Sequence, residues 1–172
     1  MMQGRAYLWW WLTGLAAFAI AIFLHAPLAI EAVPGGILDH QSAETAEAVN
    51  AIQASWAEAG VYDRAVIAMA SDIIFILIYG LGCVMAGQHF RSEGAGPVRV
   101  LGWVAMLGGV VFLVSDLGET ASQMVQLVTL KGDDTLATLA SGLRPIKVNA
   151  FIASTLAVLA GLVMQRFSVK SA

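Results

Sequence analysis

Charge is the scarcest commodity in this sequence. Only 12% of the 172 residues are charged, where a soluble domain carries about a quarter, so an ordinary water-exposed globule is excluded. There is one cysteine, Cys83, and no internal disulfide can form. No Gly-x-Ser-x-Gly, His-Glu-x-x-His or Cys-x-x-Cys occurs, which removes the recognised nucleophile, zinc-protease and redox motifs. The net charge of −3 supplies no basic patch for nucleic acid. No cofactor is named by any motif, and nothing marks the chain as an enzyme.

What is abundant is long apolar runs. Hydrophobic residues make up 59% of the chain and the mean hydropathy is +0.77. The charges fall between the runs, which is the pattern of a polytopic membrane protein. Four spans are expected, at about 6–30, 65–88, 100–121 and 145–165, each long enough for a hydrocarbon core of ~30 Å. The first is much longer than the ~7–15 residues of a signal core and no small-x-small cleavage site follows it, so it reads as a retained helix. The expected fold is an all-α, antiparallel four-helix transmembrane bundle forming a single domain over 1–172.

Lys and Arg set the orientation. Arg5, Arg91, Arg99, Arg166 and Lys170 fall on one side; Glu31, Asp39, Glu44, Glu47, Glu58, Asp63, Asp133 and Asp134 fall on the other, where Arg64, Lys131 and Arg144 are outnumbered. Both termini are thus expected in the cytoplasm of a bacterial inner (plasma) membrane, with an acidic outer surface. Trp9, Trp10 and Trp11 supply an aromatic belt at the inner end of the first span. The outer loop, 31–64, opens on Pro34-Gly35-Gly36 and carries a helix over about 42–59. Ala46, Val49, Ile52, Gln53 and Trp56 share one face of that helix, Gly60 is placed to stop it, and Asp63 to cap the second span. The third span should overrun the membrane through Gln126 and break near Lys131-Gly132. A short helix over 135–140 should follow.

Alternating three- and four-residue steps give each span an inner seam. They run Tyr7, Trp11, Gly14, Phe18, Ala21, His25; then Ala65, Ala68, Asp72, Phe75, Tyr79, Gly82, Ala86; then Gly102, Ala105, Gly109, Phe112, Asp116, Glu119, Gln123, Gln126; and Lys147, Phe151, Ser154, Val158, Gly161, Gln165. At ~1.5 Å per residue, His25, Asp72, Asp116, Glu119 and Lys147 come to one height just inside the outer leaflet, with Tyr79 two turns below Asp72. Ionisable groups cost several kcal/mol in hydrocarbon and usually mark function. Three acids against one lysine suit a small cation, a basic or polar ligand, or a proton. The bland alternative is that Lys147 pairs with Asp72 or Asp116 and locks the helices in register.

Lesser readings remain. His25 with Asp116 and Glu119 lacks the spacing of a metal motif, and His25 and His89 lie at opposite faces and cannot share a haem. Ala153, Ala157 and Gly161 form a small-residue stripe suited to close helix approach. It is either an internal contact with the first span or a docking face for another subunit or a second copy. The functional alternatives are therefore three: a cation- or ligand-binding membrane protein, an accessory or assembly subunit of a larger membrane complex, and an enzyme acting on a lipid or quinone headgroup through Asp72 and Asp116.

Asp72 and Tyr79 in the second span, Asp116-x-x-Glu119 in the third and Lys147 in the fourth resemble a pattern seen in uncharacterised small bacterial four-transmembrane-helix proteins. The likeness covers spans two to four. It implies a shared bundle and a shared polar site, and no activity.

Overall fold

The computed structural model describes residues 6–168 and is all-α. Arg5 and Lys170, two of the orienting cations, lie outside the described residues. Helix α1 spans Ala6–His25, α2 Ile37–Ser42, α3 Ala46–Glu58, α4 Tyr62–Glu93, α5 Pro97–Thr129 and α6 Asp134–Ser168. Among the described residues, four segments are long and apolar enough to cross a membrane: Ala6–Leu28, Tyr62–Glu93, Pro97–Thr129 and Asp134–Arg166. The chain is a multi-pass membrane protein of the four-helix class.

Local chemistry explains the ends of these elements and three departures from expectation. Pro27 stops α1, and a 3₁₀ turn over Ala26–Leu28 follows. The loop helix expected over 42–59 is α3, which starts at Ala46 because Thr45 turns extended (φ −130°) and its Oγ1 accepts from the Ala48 amide at 3.2 Å as the N-cap; the short helix α2 ahead of it was not expected. Gly60 ends α3 with φ 68°, a left-handed conformation that favours glycine. Asp63 does not cap the second span; it lies in the first turn of α4. The short helix expected at 135–140 and the span expected at 145 are one helix, α6, with Pro145 inside it. Asp133 holds its start, accepting from the Leu136 amide at 3.0 Å. A proline removes one backbone bond, which membrane helices tolerate.

The chain divides into two compact units, and α1, α4, α5 and α6 each contribute a segment to both. The first comprises Met1–Leu15, Ile76–Val114 and Ile146–Ala172. Its core holds Tyr7, Trp11, Tyr79, Cys83, Phe90, Phe112 and Val158, all buried. Small residues bring its helices together: a Cβ on Gly14 would strike the Tyr79 backbone, and one on Gly82 the backbone of Trp11. Trp9 and Leu156 point outward, 71% and 60% exposed, as lipid-facing side chains do.

The second unit comprises Ala16–Phe75 and Ser115–Pro145. It contains α2 and α3, which the large indole of Trp56 anchors. Trp56 is fully buried among Leu28, Val33, Ile37, Ala65, Ala68, Met69 and Leu127. Its Nε1 donates to the Leu28 carbonyl at 3.0 Å. Further ties run from the Gly132 amide to Asn50 Oδ1 (2.6 Å), from the Ala46 amide to Asp134 Oδ1 (2.7 Å), and from Arg144 to Ser42 Oγ.

Candidate functional site

The seam expected on the third span is buried along its whole length, from Gly102 through Ala105, Gly109, Phe112, Asp116, Glu119 and Gln123 to Gln126. In the second unit this seam turns polar. Glu119 is 0% exposed and Asp116 4%, and Ser115, Thr120, Ser122, Gln123 and Gln126 are buried beside them. At 100° per residue these positions cover one continuous face of α5. The face is partly wired within itself. Gln123 Nε2 donates to Glu119 Oε1 at 3.4 Å, and Gln126 Nε2 to the Ser122 carbonyl at 3.1 Å. Gln126 Oε1 accepts from the Asp133 amide at 3.0 Å.

A second acidic position in the same unit is paired. His25 Nε2 stands 3.1 Å from Asp72 Oδ2, each side chain 14% exposed. Helix α1 delivers His25 on its last residue and α4 delivers Asp72 two turns past Ala65, as the seams required. His25, Asp72, Asp116 and Glu119 thus belong to one compact unit. Among the described residues no three His, Cys, Asp or Glu side chains are grouped to hold a metal ion. The His25, Asp116, Glu119 metal reading is not assembled.

Two further expected members, Tyr79 and Lys147, are residues of the first unit. Tyr79 is in the first unit, where its hydroxyl meets Thr155 Oγ1 at 2.6 Å, Ser154 Oγ at 2.9 Å and the Phe151 carbonyl at 3.1 Å. These bonds fasten α4 to α6. Lys147 also falls in the first unit, half-buried. In the small-residue stripe of the fourth span Ala157 and Gly161 are buried, and Gly161 faces the ring of Phe90 on α4. Ala153 alone is exposed. Trp11 leaves the aromatic belt for the core, at 3% exposure.

His40 and Gln53 were not anticipated as buried polar partners. His40 stacks on Trp56 at 5.3 Å between centroids, and its Nε2 lies 3.4 Å from Gln53 Nε2, a contact that requires the imidazole nitrogen to accept. His40 Nδ1 and Gln53 Oε1 find no partner among the described residues. Burial holds the His40 imidazole well below its ordinary 6.5, at about 4, because a charged ring there would lose its hydration. The only sequence signal was Gln53 itself, a polar residue on the packing face of its helix.

No family model matches this chain, and neither the curated proteins nor the solved structures contain a match.

Proposed function

We propose that this is a bacterial inner-membrane protein, both termini cytoplasmic, whose second unit binds a small cation or a proton at Asp116 and Glu119. The observation that carries the reading is the complete burial of Glu119 one turn from Asp116 on a single polar helix face. Side chains three residues apart on a helix are neighbours. Two carboxyl groups so placed on one buried polar face offer their oxygens to a proton or a compact cation. Gln123, already bonded to Glu119, orients the carboxyl, and the His25–Asp72 pair adds a second acidic position.

The orientation is supported by the charge division. Of the twelve acidic residues only Glu93 lies in the first unit, whereas Arg91, Arg99 and Arg166 all do. Cytoplasmic flanks collect Lys and Arg.

The test uses the full chain in detergent and in proteoliposomes, with Na⁺, K⁺ and H⁺ as probes. Cation-dependent thermal stabilisation, or proton release on adding Na⁺ or K⁺, is expected in the native chain and lost in Glu119→Gln and Asp116→Asn. If both variants bind and release as the native chain does and only melt lower, the carboxyl groups are structural and the reading fails.

A further inference from the structure

The first unit holds a cation that none of its own acids answers. Arg91, in the last turn of α4, is half-buried, and its guanidinium carbon sits 3.4 Å from the centroid of the Trp103 ring on α5. Nη1 points to Met106 Sδ at 3.1 Å. Gly102 admits the stem, since a Cβ there would meet Arg91 Cγ and its backbone nitrogen. The planar group is therefore clamped between a ring and a thioether, neither of which carries negative charge. Among the described residues no carboxylate comes within ion-pair distance of Arg91 or Arg99. Glu93, the one acid in this unit, is exposed.

Arg99, Trp103 and Met106 recur at four- and three-residue steps, so Arg99 shares the α5 face over which Arg91 lies. Around that face the helix is apolar and open: Val100 is 61% exposed, Val104 41% and Leu107 54%. A clamped guanidinium with a second, exposed arginine beside it, a half-exposed tryptophan and exposed aliphatic side chains match the three zones of a lipid, phosphate, glycerol boundary and acyl chain.

We propose that Arg91 and Arg99 hold the phosphate of an anionic phospholipid, with Trp103 at the level of its glycerol and the acyl chains along Val100, Val104 and Leu107. This does not depend on the carboxyl site of the second unit.

The full chain, purified in mild detergent and equilibrated with equal phosphatidylglycerol and phosphatidylcholine, would be examined by native mass spectrometry. Preferential retention of phosphatidylglycerol is expected, falling about fivefold in Arg99→Gln and to the phosphatidylcholine level in Arg91→Gln/Arg99→Gln. Arg99 is exposed, so its variant folds and decides the matter even if the double variant does not. Unchanged preference in Arg99→Gln would overturn the proposal. Equal protection of the native chain by inorganic phosphate would do so too, since the site would then be one for free anions.

Discussion

Around Tyr79 the first unit packs Gly14, Phe112 and Phe151, with ring centroids 5.0 and 4.7 Å away. Around Glu119 the second packs Asp116, Ser122, Gln123 and Gln126. The same α5 helix passes through both. In one segment its seam is glycine, alanine and phenylalanine; in the next it is acid and amide. Helices in lipid gain little from hiding apolar surface, because lipid is apolar too, so contact between backbones or polar pairing must supply the association. The first unit uses backbone approach, with one hydroxyl satisfied threefold. The second uses polar pairing, and it adds what the first lacks, two short helices pinned by a buried indole. A unit built on close approach should be sensitive to volume; one built on polar pairing should be sensitive to proton and charge.

The largest test of this contrast is Trp56→Ala. Truncating a fully buried indole costs about 3–5 kcal/mol. Amide exchange in α2 and α3 should accelerate while protection in the first unit persists; uniform loss would mean that the units do not behave separately. Next is Gly14→Val, whose added carbons meet the Tyr79 backbone. It should destabilise by about 3 kcal/mol, read as a lower melting temperature in detergent, with exchange accelerating first in the first unit.

Acid should act on the second unit. The His40 imidazole titrates lower in the folded chain than in the unfolded one, so its contribution is complete above pH 6.5 and is lost as pH falls toward 4. Roughly 2 kcal/mol should be gone by pH 5. Proteolysis of the 31–61 segment should rise over that window, and His40→Gln should flatten the profile. The smallest effect is Tyr79→Phe. It removes one hydroxyl from a network with Ser154 and Thr155, worth about 1–2 kcal/mol, and should leave cation binding by the second unit unchanged. A loss of binding there would join Tyr79 to the carboxyl groups after all.

Much of the helical frame was legible from residue order. The polar phase assumed for the spans was the right one: Ala65, Ala68, Phe75, Tyr79, Gly82 and Ala86 are all buried on α4, as are Asp116, Glu119, Gln123 and Gln126 on α5. A charge in a long apolar run has few places to go except inward. The junctions were less legible. Thr45 and Asp133 cap helices through a single side-chain bond each, and such a bond can outweigh the hydropathy pattern on either side. The fourth span was expected to begin at Pro145, whereas α6 starts at Asp134 and continues through that proline. Tyr79 was grouped with the carboxyl groups because it shares the α4 seam with Asp72, and a shared seam does not name the partner: its hydroxyl bonds to Ser154 and Thr155 on α6.

The sequence by itself determined that there are four spans, which face of each turns inward, and that acid and base are segregated, because these follow from period, length and composition. Only tertiary structure decided the partners. The pairing of His25 with Asp72, the capture of Tyr79 by Ser154 and Thr155, and the burial of His40 under Trp56 all depend on contacts between distant stretches of chain. Periodicity fixes which way a side chain faces from its own helix; what it meets there is set by the neighbouring element.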